Sequence, residues 1–456
     1  MLLSRPKLVR NLALAIGIGV GAAALAGGGS EDPVAARIGG TALAAAPARV
    51  AEAAEAATRG GEPAARDAGK KARGKRAARR DLPGDAALAG SLDLSRMELV
   101  GDHYEVPLDG GRRAVLTLDP TLQQAAEKVL ARAKAPRGAV VITATDGRIL
   151  AYAGRRTEDP KGGKDGIVDL GLVNTAWAPA ASVFKLVSAS AMIDAGVDPH
   201  GKVCYHGGLR SVMASNLEDD KHDNKCADLS YGLAHSQNAI IAKLAHQHLE
   251  PARLRETAEA LSFGGDLPAW SMGGEAGRSE IPDAKGVEFG KTAAGFTGTY
   301  LSPVGGALLA NTFATGGEMV TPRLVDAIVD DGGRHDLTAA PSTRVLPAKV
   351  ARTVAAMMVE TCDSGSAAKA FRGKDGLPRS VKVAGKTGTL SRDEPLPLQY
   401  SWFVGFAPAD DPAISVAVVL GNTDLWWLKA HTAARMLVAE ALKPARTAKS
   451  GKSGHQ

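Results

Sequence analysis

The sequence predicts an α+β fold: a largely antiparallel sheet flanked by helices, with a helical lobe inserted between the sheet strands. Three observations carry this expectation. A hairpin pattern comes early, Ala139–Thr145 and Arg148–Ala153 around an Asp146-Gly147 turn. Strand patterns then return only near the end, at Val381–Thr389, Ser401–Phe406 and Ile414–Leu420. The stretch between reads as mainly helical, so one sheet has to be assembled from distant parts of the chain, with the helical middle on one face.

The elements follow in chain order. Asp119-Pro120 reads as an N-cap and a first-turn proline, and Leu122, Ala125, Ala126, Val129, Leu130 and Ala133 then form one apolar face. Tyr152 in the hairpin reads as sheet packing. Ser182 to Ala195 is apolar nearly all round and stops at Gly196, the pattern of a buried core helix. Ala239 to Leu244 is a second apolar helical run, and Thr432 to Leu442 closes the fold with a helix. Trp426-Trp427 are expected to pack on that helix or to line a groove rim.

Within this frame, Lys386-Thr387-Gly388-Thr389 follows an apolar strand and reads as a carboxylate-binding edge. The two threonine hydroxyls donate hydrogen bonds, Gly388 lets a ligand lie against the backbone, and Lys386 supplies a fixed positive charge. Upstream, Ser182-Val183-Phe184-Lys185 sets a hydroxyl and an amine one helical turn apart. A lysine inside so apolar a helix loses solvation, which lowers its pKa and makes a neutral, proton-accepting amine available beside the serine. Ser182 at a helix start would also have free N–H groups to stabilise negative charge. Between the two lies Ser236-Gln237-Asn238, a hydroxyl that can relay a proton and an amide that can hold a substrate carbonyl. A second Ser-x-x-Lys, Ser366 to Lys369, sits in a Gly/Ser-rich stretch with nothing to bury its lysine and is not expected to be the nucleophile; Lys291-Thr292-Ala293 lacks the glycine and lies outside a strand pattern. His235 reads as an exposed or supporting histidine.

In that order the three motifs resemble those of the penicillin-binding protein transpeptidase family. The resemblance covers about residues 91 to 443: the run Leu116 to Gln123 looks like the domain entrance, Gly138 to Gly154 like the first hairpin, and Trp402 to Pro408 like the strand after Lys-Thr-Gly. It implies the penicillin-binding transpeptidase fold. It also implies that Ser182 is acylated by a D-Ala-D-Ala stem peptide, with Lys185 as general base and Ser236 relaying the proton to the leaving amine. Asn238 would hold the substrate, Lys386, Thr387 and Thr389 would grip its carboxylate, and the backbone N–H groups of Ser182 and Thr389 would form the oxyanion hole. The chain departs from many relatives in having Ala180-Ala181 where Pro-Gly precedes the serine.

The chain has 456 residues, and about a fifth does not look folded. Residues 1–30 pair Arg5, Lys7 and Arg10 with an uncharged run from Leu12 to Gly29, a signal or membrane anchor with its N-terminus inside. The resemblance favours an anchor in the bacterial inner membrane with the catalytic domain in the periplasm; the alternative is a cleaved signal peptide. Residues 31–90 form an Ala/Gly/basic linker without aromatics, with eight Lys/Arg between Arg66 and Arg80, and 444–456 form a short tail, both expected to be disordered. Outside that basic cluster the formal +6 charge largely disappears, so the folded part gives no case for nucleic-acid binding.

Cys204 and Cys226 are expected to form a disulfide closing a loop, worth roughly 3 kcal/mol of denatured-state entropy in the chain-entropy model. A zinc site from Cys204, His206, His222 and Cys226 is the rival reading, and its spacing matches no standard module. Cys362 reads as a buried thiol. No phosphate loop and no clear metal motif occurs, and no cofactor is expected.

The expected function is a peptidoglycan D,D-transpeptidase that cross-links stem peptides through a Ser182 acyl-enzyme and is inhibited by β-lactams. The resemblance implies work beside a separate glycosyltransferase. The alternatives are a D,D-carboxypeptidase or β-lactamase-like hydrolase sharing the acylation step, and a catalytically quiet penicillin-binding scaffold or sensor.

Overall fold

The computed structural model describes residues 88, 90–157, 166–267, 272–393 and 397–443. All lie in one compact unit, 78–456. The expected leader, the tail and all of the linker but Leu88 and Gly90 lie outside the described residues. Among the described residues no helix is long and apolar enough to cross a membrane.

The central sheet has six strands: β1 (Arg137–Ala144), β2 (Ile149–Arg156), β3 (Ile167–Val168), β4 (Ala384–Arg392), β5 (Leu398–Ala407) and β6 (Ile414–Asn422), in spatial order β4-β5-β6-β1-β2-β3. Every neighbouring pair is antiparallel. The early hairpin thus pairs with the C-terminal strands through β6 and β1, as Val418 opposite Val140 illustrates. Val381–Thr389 was expected as one strand, yet pairing starts at Ala384, opposite Phe406. Two residues beyond Phe406 comes Pro408, which has no N–H to extend a ladder.

Seven helices frame this sheet and the site: α1 (Pro120–Ala133), α2 (Lys185–Asp194), α3 (Asn238–His248), α4 (Val287–Ala293), α5 (Pro303–Ala314), α6 (Ala348–Asp363) and α7 (Ala430–Ala441). Alternate strand residues face opposite layers, and both layers are dry. Val140, Ile142, Val416 and Val418 join Leu130 of α1 and Leu437 of α7 in one cluster. Val141, Trp402, Val404 and Ala417 join Ala307 and Leu308 of α5 in the other, which continues into α2, α3 and α6. Burial on both faces explains why the strands read as near-continuous apolar runs.

The middle of the chain is not wholly helical. Val325–Asp330 and Gly333–Asp336 form a hairpin that pairs with Arg113–Leu116 in a separate five-stranded sheet. This corrects the expectation that strands return only near the end. Val325, Ala327 and Ile328 are buried while Asp326 stays partly open, and the strand ends in an Asp331-Gly332 turn. Cys204 and Cys226 sit directly opposite each other on the short strands Val203–Tyr205 and Lys225–Ala227 and form a disulfide. Both sulfurs are therefore engaged with each other, and the zinc reading has no free thiolates to use. Among the described residues no group of three or more His, Cys, Asp or Glu could hold a metal ion. Cys362 is buried in α6, where desolvation pushes its thiol pKa up.

Candidate active site

The segment holding Ser182 begins as a tight 3-10 turn, Ala181–Phe184, and only at Lys185 becomes the α-helix expected from Ser182 onward. Ala181 enters this turn at φ +49°. Its carbonyl lies where only glycine fits: a Cβ on Gly295, itself at φ +83°, would stand 2.0 Å from that oxygen. Thus the loop after α4 presses against the residue preceding Ser182.

Lys185 is fully buried, and its Nζ lies 2.6 Å from Ser182 Oγ, 2.7 Å from Asn238 Oδ1 and 2.8 Å from the Ala294 carbonyl. Asn238 Oδ1 and the Ala294 carbonyl can only accept. A neutral amine satisfies this set fully, giving its two hydrogens to those oxygens and its lone pair to the Ser182 hydroxyl. Burial, and secondarily the charge of Lys386, holds the Lys185 pKa well below the usual lysine range. Geometry and electrostatics therefore agree on a proton-accepting amine against the serine.

Ser236 occupies a left-handed conformation, φ +59°, between the short helix Leu229–Ala234 and α3. Its hydroxyl lies 3.1 Å from Lys386 Nζ, which also donates to the Thr387 carbonyl at 2.9 Å. Lys386 is fully buried, and desolvation brings its pKa down to about 7. The positive charge expected to be fixed is therefore conditional near neutrality, and an arriving carboxylate would secure it. Asn238, expected to offer an amide to substrate, is fully engaged: Nδ2 donates to the carbonyls of Gly208 at 2.7 Å and Leu209 at 3.2 Å.

Strand β4 carries Lys386, Thr387, Gly388 and Thr389 past the turn that holds Ser182. Gly388 faces the chain itself: a Cβ there would stand 3.2 Å from the Ala180 carbonyl and 3.3 Å from Ala181 Cβ. Its bareness lets β4 approach the turn, and Trp402 Nε1 donates to the Pro179 carbonyl at 2.9 Å on the adjoining strand. Thr389 is exposed, whereas Thr387 is 8% exposed and its Oγ1 lies 2.6 Å from Ser366 Oγ. Ser366 is the serine of the second Ser-x-x-Lys. Lys369 there is exposed, consistent with its exclusion as a base, but Ser366 reaches the site in another way that its local spacing did not signal. Ala294, Gly295, Gly208 and Leu209 likewise contribute backbone groups that no side-chain motif announces.

His235 is exposed and stacks on Tyr231, with ring centroids 4.2 Å apart. Lys291-Thr292-Ala293 lies in α4, outside any strand. Trp427 is exposed beside Lys134, and Trp426 donates to Gln399 Oε1 at 3.1 Å.

A family model described as the penicillin binding protein transpeptidase domain matches residues 137–442. The chain belongs to this penicillin-binding protein transpeptidase family. The match takes in the turn of Ser182, the loop of Ser236 and strand β4. Among curated relatives, the chain is 25% identical over 377 residues to the peptidoglycan D,D-transpeptidase PbpA of Mycolicibacterium smegmatis, covering 74% of this chain and 72% of that one. It is 24% identical to penicillin-binding protein PbpB of the same organism, covering 74% of this chain and 56% of the relative. The fold is shared with solved members of the family. Penicillin-binding protein A of M. tuberculosis, as its ceftriaxone acyl-enzyme complex, superposes with a TM-score of 0.61 at 21% identity, covering 74% of this chain and 81% of that one. The D,D-transpeptidase domain of a peptidoglycan glycosyltransferase from Eggerthella lenta gives 0.60 at 21% identity, covering 77% and 91%.

Proposed function

We propose that the chain is a peptidoglycan D,D-transpeptidase that cross-links stem peptides through an acyl-enzyme on Ser182 and is inhibited by β-lactams. The observation that carries this reading is the buried Lys185 amine at 2.6 Å from the Ser182 hydroxyl, with its other two neighbours acceptors only.

In this mechanism Ser182 Oγ attacks the carbonyl between the two terminal D-alanines as its proton passes to Lys185 Nζ. The backbone N–H groups of Ser182 and Thr389 stabilise the tetrahedral oxyanion. Breaking the C–N bond requires a proton on the departing D-alanine amine, and Ser236 relays it from Lys185. Lys386, Thr387 and Thr389 hold the terminal carboxylate. An amine from a second stem peptide then attacks the ester, loses its proton to the same relay, and restores the Ser182 hydroxyl. Asn238 keeps Lys185 in place; to bind the substrate carbonyl as well, its amide would exchange a bond to Gly208 or Leu209.

Residues 1–30 would anchor the protein in the inner membrane and residues 31–90 would tether a periplasmic catalytic domain, 91–443, beside a separate glycosyltransferase. The basic linker composition and the apolar N-terminal run support this placement.

The test is covalent labelling of the purified protein with a fluorescent penicillin, in wild type and Ser182→Ala. Stable label that the substitution abolishes supports the reading. Label that clears within seconds favours a hydrolase, and no label in oxidised wild type favours a quiet scaffold.

A further inference from the structure

Ser366 lies at the junction of the two motifs that meet beside the nucleophile. Its N–H donates to the Ala234 carbonyl at 3.0 Å, two residues before Ser236, and its hydroxyl lies 2.6 Å from Thr387 Oγ1, next to Lys386. Gly365 makes the approach possible, since a Cβ there would stand 2.3 Å from the same Ala234 carbonyl. Ser366 is exposed while Thr387 is nearly buried, so the hydroxyl pair runs from solvent into the proposed carboxylate clamp.

An exposed serine gains little stability from a hydrogen bond that water can replace. The consequence for Thr387 is larger. A threonine hydroxyl has one hydrogen, and its rotor is free unless a neighbour fixes it. Either hydroxyl can donate in this pair; when an anionic ligand needs the Thr387 hydrogen, Ser366 can donate to Thr387 Oγ1 in turn, and each bond polarises the next. A carboxylate has no hydrogens to offer and needs donors already aimed at it, so the pair is preorganised for an anionic ligand.

We propose that Ser366 is a positioning residue for carboxylate recognition, acting through the Thr387 hydroxyl. This rests on the transpeptidase reading and adds a determinant of substrate class: a free terminal carboxylate, as against an amide or ester. Lys369 has no part in it.

The test compares full-length wild type, Ser366→Ala and Ser366→Thr in their acylation by benzylpenicillin and by its methyl ester, resolving the saturating rate from the half-saturating concentration. For the acid, Ser366→Ala should raise the half-saturating concentration about tenfold, the scale of one hydrogen bond to a charged group, with the saturating rate within about twofold of wild type. Ser366→Thr, which keeps the hydroxyl, should restore most of the loss. For the ester, wild type and Ser366→Ala should react with equal efficiency. Equal losses for acid and ester, or a loss confined to the saturating rate, would mean that Ser366 merely supports the loop, and no loss in either would leave it no role; each overturns the proposal. Absence of Ser182-dependent labelling in wild type would instead overturn the transpeptidase reading, and this inference with it.

Discussion

In the proposed mechanism Lys185 and Lys386 are two buried lysine amines with opposite requirements. Lys185 must be neutral to take a proton from Ser182, and its burial and the nearby Lys386 both favour that state. Lys386 must be charged to attract a carboxylate, yet burial lowers its pKa to about 7. Acylation efficiency against pH should therefore rise on the acid side as Lys185 loses its proton and fall on the alkaline side as Lys386 loses its own. The alkaline limb of the second-order rate should lie near pH 7 in the free enzyme and shift upward under saturating penicillin, because a bound carboxylate stabilises the charged amine. A limb unmoved by saturation would rule out this role for Lys386. Replacing Lys185 by Met should slow acylation by roughly 10²–10⁴-fold, the usual scale of a general base. Lys185→Arg should be equally impaired, since guanidinium remains protonated and cannot accept; stopped-flow labelling of the two variants checks this. These residues were legible in the sequence because each motif is local, three or four positions long: one helical turn, here begun as a 3-10 turn, sets the Ser182–Lys185 spacing, and one strand presents Lys386. Ser366 was legible only as a poor nucleophile, since its partner Thr387 lies on another element.

Elements hold the site by backbone contacts that a motif does not encode. Asn238 is oriented by the carbonyls of Gly208 and Leu209, and these belong to the irregular stretch closed by the Cys204–Cys226 disulfide. Within that stretch, buried Lys243 of α3 donates to the Cys204 carbonyl at 2.8 Å and to Asp223 Oδ2 at 2.6 Å, while His206 Nδ1 lies 2.6 Å from the other Asp223 oxygen. Burial would raise the Asp223 pKa, but its bonds to Lys243, His206 and the Asp220 N–H bring it down to about 2. A carboxylate held below its unfolded value stabilises the fold above about pH 4 and loses that contribution as pH falls toward 2. Asp223→Asn should cost about 3 kcal/mol, as expected when one partner of a buried ion pair is removed, read by denaturant unfolding at pH 7; the difference from wild type should narrow toward pH 2. Gly295→Ala acts differently. Its methyl group would meet the Ala181 carbonyl and push the nucleophile turn away from Asn238 and Ala294, so acylation should fall at least a hundredfold, with circular dichroism unchanged. Unaltered acylation would show that the turn tolerates the displacement.

Over the whole molecule, the sheet order explains how Ser182 and Lys386, so far apart in sequence, come to lie on adjoining elements. Strands β4, β5 and β6 are added to the early β1–β2 hairpin, and the helical middle packs against the face that bears Trp402 and Val404. That arrangement was foreseeable because strand patterns flank a mainly helical middle, which requires one sheet assembled from both ends. The small hairpin at Val325–Asp336 was not, since its pattern is short and half its residues face water. The interior of the far layer, between α1, α7 and the sheet, lies away from Ser182, Lys185 and Lys386 and offers a separation of stability from chemistry. There α7 inserts Leu437 and Val438, both fully buried, over Val416, Val418 and α1. Leu437→Ala removes a packed side chain and leaves a cavity, at a cost of about 3 kcal/mol, a large share of the 5–15 kcal/mol that holds a typical domain together. Ser182 and Lys185 lie on the opposite side of the sheet, in the layer continuous with α5 and α2. The expected result is a lower urea midpoint with an unchanged slope, alongside wild-type acylation kinetics and pH profile in the folded protein at 25 °C. A change in the saturating acylation rate would instead mean that strain crosses the sheet from α7 to β4, making the site depend on packing in both layers.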